Sequence, residues 1–217
     1  MTHSATRILF GLGLLASAAH CDRRSGTEQT ARALLASERA TPSPPKPASS
    51  DSAAAVLDVS ATYPATDLIG AKRRIRLTKA APSEAHSAPE GWKIEFDKQG
   101  SFAGVCWKNR AGNEGDAPGD NLSGARYRRI SFWAKGEKGG EVVEFRAGGL
   151  GHIKTRYRDS FDVTAGPVKL TTSWSEHSIY VNDVDLSSVM TVFCALLHQE
   201  DNVEGAAIYL DDVQYRG

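Results

Sequence analysis

Basic residues never gather into a dense block in this chain. Lys72-Arg-Arg74 and Arg126-Tyr-Arg-Arg129 come nearest, and 26 basic residues are matched by 26 acidic ones, for a formal net charge of zero. A nucleic-acid footprint needs a basic excess concentrated on one face, so no nucleic-acid partner is expected. Enzyme signatures are missing as well. The chain has no His-Glu-x-x-His pair, no Gly-x-Ser-x-Gly elbow and no phosphate-binding loop. His86, His152, His177 and His198 lack zinc-ligand spacing. The chain therefore reads as non-catalytic. The less favoured alternative assembles distant groups, Glu141, Glu144 and Asp159 for a glycoside hydrolase or Tyr180, His198 and Arg146 for a polysaccharide lyase, because glycosidase carboxylates need proximity and no motif.

Long apolar runs are also absent. Ile8-Leu-Phe-Gly-Leu-Gly-Leu-Leu-Ala16 is too short to span a bilayer. It follows His3 and Arg7 and precedes the small residues Ser17-Ala18-Ala19, which predicts a secretory signal peptide over residues 1–20. Cys21 then stands where a lipid-accepting cysteine would. Ala18 and Ala19 fit the small-residue box before it, whereas His20 departs from the Gly, Ala or Ser expected there. The reading is an exported, periplasmic or envelope-attached lipoprotein, with the lipid at Cys21 as its membrane contact. Ordinary cleavage after Ala18 or Ala19 is the alternative.

Cysteine is otherwise scarce. Cys106 and Cys194 lie inside the apolar runs Phe102-Ala-Gly-Val-Cys-Trp107 and Thr191-Val-Phe-Cys-Ala-Leu-Leu197. Two readings stand side by side: one disulfide, as export permits, or two buried free thiols acting as small hydrophobes.

Residues 21–55 are rich in Ala, Ser, Pro and charge around Thr41-Pro-Ser-Pro-Pro-Lys-Pro47. That composition buries too little apolar area to offset chain entropy, which predicts a disordered tether. From residue 56 the pattern changes to short alternating runs punctuated by Gly, Asp, Asn and Pro. Strands are expected at Val56–Ser60, Lys72–Thr78, Trp92–Asp97, Phe102–Asn109, Arg129–Lys135 and Glu141–Ala147. Ser160–Val163, Val168–Thr171, Ser175–Val181, Thr191–His198 and Ala206–Tyr215 complete the set. With no long amphipathic helix and no internal repeat, residues 56–217 read as one all-β domain, an antiparallel sandwich or barrel. Lys138-Gly-Gly140 is the expected turn of a hairpin, and Asp120-Asn-Leu-Ser-Gly124 reads as a short helical turn or loop.

The segment from Trp92 to Tyr215 resembles the galactose-binding-like jelly-roll superfamily, and within it carbohydrate-binding modules and the complex I intermediate-associated protein domain. The residues that carry the resemblance are Phe102-Ala-Gly-Val-Cys-Trp107, Gly115-Asp-Ala-Pro-Gly119, Leu122-Ser-Gly-Ala125 and Ile130-Ser-Phe-Trp-Ala-Lys-Gly136. They continue through Gly140-Glu-Val-Val-Glu-Phe-Arg-Ala-Gly148, Trp174, Asp185-Leu-Ser-Ser188 and Tyr209-Leu-Asp-Asp-Val213. Cys106 departs from the pattern, standing where an aromatic or aliphatic residue is expected. The resemblance implies a jelly roll that binds a glycan on one sheet face. Its alternative is an envelope-assembly or scaffold domain of the same fold, since fold alone does not fix function.

Sugar recognition needs an apolar platform for the C–H face of a pyranose and polar groups for its hydroxyls. Strand parity turns Ile130, Phe132 and Ala134 inward and leaves Trp133 outward. It likewise buries Val143 and Phe145 and exposes Glu144 and Arg146. The expected hairpin brings Trp133, Glu144 and Arg146 onto one surface, joined by His198, with Trp107 on the rim. The last strand places Ile208 and Leu210 on one face and Tyr209 and Asp211 on the other. Asp is depleted from strands, so the pair Asp211-Asp212 needs a holder, either a hard cation or a set of N–H donors. Related jelly rolls often carry one structural calcium ion where first and last strands meet, which nominates Asp211, Asp212 and Asp58 as its ligands.

Overall fold

A computed structural model describes residues 54–87, 89, 91–151 and 155–217. The expected signal peptide, Cys21 and nearly all of the tether lie outside the described residues, as does His152. Eleven strands follow in order: β1 (Val56–Asp58), β2 (Ala65–Gly70), β3 (Ile75–Lys79), β4 (Trp92–Phe96), β5 (Phe102–Lys108) and β6 (Arg129–Gly136). Then come β7 (Val142–Gly148), β8 (Asp162–Lys169), β9 (Ser175–Tyr180), β10 (Thr191–His198) and β11 (Ala206–Arg216). The helix α1 (Val59–Thr62) is a single turn capped by Asp58, whose carboxylate accepts the Ala61 N–H at 2.8 Å.

The strands form two antiparallel sheets. Sheet A runs β3-β4-β11-β6-β9 with β1 on the far part of β11, and sheet B runs β2-β5-β10-β7-β8. Facing each other, they make a jelly-roll β-sandwich. Its core is assembled from alternate residues of each strand. Ile130, Phe132 and Ala134 of β6 meet Val143, Phe145 and Ala147 of β7 and Phe193, Ala195 and Leu197 of β10, all buried. Phe132 bridges the sheets, its ring 4.4 Å from that of Phe145 and 5.1 Å from that of Phe193.

Some expected boundaries shift. β1 stops at Asp58 because α1 begins, and a 3-10 turn over Lys72–Arg74 precedes β3. Ser160–Val163 and Val168–Thr171 merge into one strand, β8, which contains Pro167. β8 is an edge strand, where a residue without an N–H is tolerated. β2, which the sequence did not announce, forms the opposite edge of sheet B.

The Gly-rich turn after β6 does not make a hairpin. Gly139 and Gly140 take positive φ values of 80° and 100°, but the chain crosses here from sheet A to sheet B. β6 pairs with β11 and β9, and β7 with β10 and β8. On the outer side of sheet B, Cys106 and Cys194 face each other across β5 and β10 and are joined in a disulfide. Beside them Lys108, 2% exposed, places its ammonium 2.5 Å from Asp67 and 2.9 Å from Glu114.

Candidate functional site

The outer face of sheet A carries two rows set by register. Glu176, Trp133 and Asp211 lie side by side across β9, β6 and β11. Lys135, Tyr209 and Lys93 form the next row across β6, β11 and β4. Trp174, directly before β9, reaches the same surface, with the Lys135 ammonium 5.0 Å from its ring and 4.7 Å from the Tyr209 ring.

A bulge explains how two successive acids share this face. The β11–β6 register shifts between Asp211 and Gln214, and Asp212 takes a left-handed φ of 50°. Aspartate tolerates that region better than most residues, and the extra residue breaks the alternation. Before the bulge Ile208 and Leu210 point into the core; after it Val213 and Tyr215 do. Both carboxylates are thereby free to face outward.

They hold a strap formed by residues 80–87. Asp211 Oδ2 accepts the backbone N–H groups of His86 at 2.9 Å and Ser87 at 3.0 Å. Asp212 accepts the Ser87 hydroxyl at 2.6 Å, and its other oxygen lies 2.8 Å from His86 Nδ1. Further along, the Tyr209 hydroxyl donates to Glu84 at 2.6 Å. That bond keeps the Glu84 carboxyl below its ordinary range, while burial, followed by the nearby Glu84 carboxylate, pushes the Tyr209 phenol up. Tyr209 is buried although it points outward, because the strap covers it. The strap also delivers His86 face-on to Trp133, centroids 3.9 Å apart at 14°, and edge-on to Trp174 at 5.7 Å.

The acids therefore have N–H and O–H donors as holders. Asp58 is engaged separately at the start of α1. Among the described residues no group of three or more His, Cys, Asp or Glu converges as a metal site would require. Donor hydrogens point at the oxygens that calcium would need, so Asp58, Asp211 and Asp212 do not fit a calcium site.

The expected single surface of Trp133, Glu144, Arg146, His198 and Trp107 is not formed. Trp133 is outward on sheet A. Glu144, Arg146 and His198 are outward on sheet B, on the opposite side of the sandwich, because the chain crosses between sheets after β6. There Arg146 lies beside Cys194 in the β10–β7 register and pairs with Asp162 at 2.6 Å, Glu144 lies beside Leu196, and the His198 ring is 5.8 Å from that of Phe102. Trp107 is no rim residue. It has no exposed surface and packs within 6.0 Å of Trp92 and 5.9 Å of Phe193.

Sequence reasoning met Trp174 only as part of the resemblance and His86 only as an unsuited zinc ligand, and nominated neither for binding. Trp174 stands just outside a strand, where alternation says nothing. His86 sits in a segment without periodicity, and only the acid pair across from it hinted that something had to be held.

No protein-family model matches the chain, and no curated protein does. Among solved structures it is similar to a family 30 carbohydrate-binding module, with a TM-score of 0.51 and 16% identity, over 74% of this chain and 97% of that one. It is also similar to the family 11 module from Clostridium thermocellum in complex with a β-1,3-1,4-mixed-linked tetrasaccharide. There the TM-score is 0.52 and the identity 11%, over 75% of this chain and 94% of the other. The fold is thus the jelly roll of carbohydrate-binding modules.

Proposed function

We propose that the chain is a non-catalytic, exported carbohydrate-binding module whose glycan stacks on Trp133 and Trp174. The observation that carries this reading is a pair of half-buried tryptophans on one outer sheet face. Among the described residues neither indole N–H has a hydrogen-bond acceptor, and Lys135, Glu176 and Ser87 stand close by. An indole face takes the C–H side of a pyranose, and flanking charges and hydroxyls take its hydroxyl groups. The shared fold with modules of this class, one of them complexed with a tetrasaccharide, supports it. The disulfide supports export, because such bonds persist in oxidising compartments. Lipidation at Cys21 belongs to the same proposal.

The strap favours a second reading, an assembly domain of the same fold. His86 already occupies one face of Trp133, as a purely structural tryptophan would permit. A glycan array probed with the whole protein and with Trp133→Ala and Trp174→Ala separates the two. Binding to one sugar class that both substitutions weaken supports the module. A blank array, or binding indifferent to both, leaves the assembly reading.

A further inference from the structure

A groove of about 860 Å³ opens where β6 begins and β9 ends. Backbone bonds fix its walls: Val181 N–H donates to Arg128 at 2.8 Å, and Leu122 N–H donates to Leu186 at 2.9 Å. Tyr127 forms the floor, half-buried, its ring edge-on to Tyr215 at 5.5 Å. Tyr180 stands on the rim, 70% exposed, and pairs with Arg129 across β6 and β9.

Three arginines meet in this groove. Arg74, Arg146, Lys93, Lys98 and Lys108 each have a carboxylate partner. Arg126, Arg128 and Arg129 all line the groove, all are exposed, and none has a carboxylate partner among the described residues. Arg126 takes a left-handed φ of 53° where it ends the 3-10 turn over Ser123–Ala125. On the facing wall Asp183 accepts the neighbouring Asn182 amide, and Asp185 accepts the Ser187 N–H at 2.9 Å.

We propose that this groove is a second saccharide site, built for a carboxylated sugar such as a uronate unit of an acidic polysaccharide. Guanidinium groups meet carboxylates in a two-pronged geometry. The Tyr180 ring offers a stacking surface, and Asn182, Asp183 and Asp185 offer partners for hydroxyls. A DNA backbone brings phosphates to the arginines but no free hydroxyls for those two acids to accept from. A sugar chain with one carboxylate among many hydroxyls suits both walls. Arg129 lies four residues before Trp133 on the same outward face of β6, roughly 13 Å along the strand, so one long glycan can reach both places. The site itself rests on the arginines and Tyr180, independently of the tryptophan platform.

The test measures binding of the whole protein to oligogalacturonate, to neutral mixed-linkage β-glucan oligomers and to single-stranded DNA. The variants are the triple substitution Arg126→Gln/Arg128→Gln/Arg129→Gln, and separately Tyr180→Ala. Expected are a preference for oligogalacturonate over the neutral oligomer that weakens with salt, and a loss of at least tenfold in the triple variant with unchanged melting temperature. Tyr180→Ala is expected to weaken the same ligand, whereas Trp133→Ala leaves the salt-sensitive preference in place. Equal oligogalacturonate binding by wild type and triple variant overturns the proposal. So does DNA binding with the same arginine dependence, which would mark a general polyanion surface. Loss of neutral-sugar binding on Trp133→Ala bears on the platform alone.

Discussion

Trp107 has no exposed surface and is wedged between Trp92 and Phe193, so Trp107→Ala should leave a cavity costing about 3–5 kcal/mol. Trp133 is half-buried, with the His86 ring stacked on one face. Trp133→Ala should cost roughly 1 kcal/mol of stability but about 1–3 kcal/mol of glycan affinity, the worth of a large apolar contact. Chemical denaturation and titration calorimetry on the two variants read both quantities, and a reversed order would place the platform elsewhere. His177 gives a pH signature. Its ring faces inward, 5.7 Å from Phe132, and burial holds its pKa below the ordinary histidine value. As pH falls through about 6.5, the unfolded chain takes up a proton that the folded chain resists. Stability is therefore full above that value and declines on acidification until the folded pKa is passed. Thermal melts from about pH 7.5 to about pH 5 should show the decline, and His177→Gln should flatten it.

Strand parity was legible element by element, because alternation is a local property: Ile130, Phe132 and Ala134 point inward as their spacing says. Which sheet each strand joins was not. Lys138-Gly-Gly140 has the same glycines whether it closes a hairpin or crosses the sandwich, and only the distant partners β9 and β10 decide. β2 escaped notice because Asp67 interrupts its apolar run, and the Lys108 that neutralises it lies far along the chain. The acid pair announced that a holder was needed, but the bulge that turns both acids outward is set by pairing with β6. The strap they hold leads to a further expectation. His86 sits where a sugar ring would stack on Trp133, so His86→Ala should raise glycan affinity while lowering the melting temperature slightly. Calorimetric titration showing weaker binding would mean that the imidazole belongs to the recognition surface itself.

At the scale of the whole molecule, the fold class was readable from strand density, and the cysteine question was settled only by pairing. Cys106 and Cys194 stand opposite each other because β5 and β10 are neighbours, 88 residues apart in sequence. In the chain-entropy account, a ring of that length stabilises by about 4–5 kcal/mol, so reduction should lower the denaturation midpoint markedly. Unchanged midpoints in reductant would show that packing alone holds β5 to β10. At the other end of the chain, Cys21→Ser should release a lipidated protein from the membrane fraction without altering its melting temperature. A wild-type protein already soluble and beginning at Ala19 or His20 would end the lipoprotein reading.

The same covalent ring sets what happens when the protein is pulled by its two ends. Force entering through β5 leaves through β10 by way of the sulfur–sulfur bond, so β6, β7, β8 and β9 lie off the load path. About 300 Å of potential extension is withheld, and the strands bearing Trp133, Arg129 and Tyr180 stay slack while the flanking segments stretch. β11 and the 80–87 strap lie outside the ring and bear the force from the start, whereas the β6–β9 pairing meets it only after a reductant opens the ring.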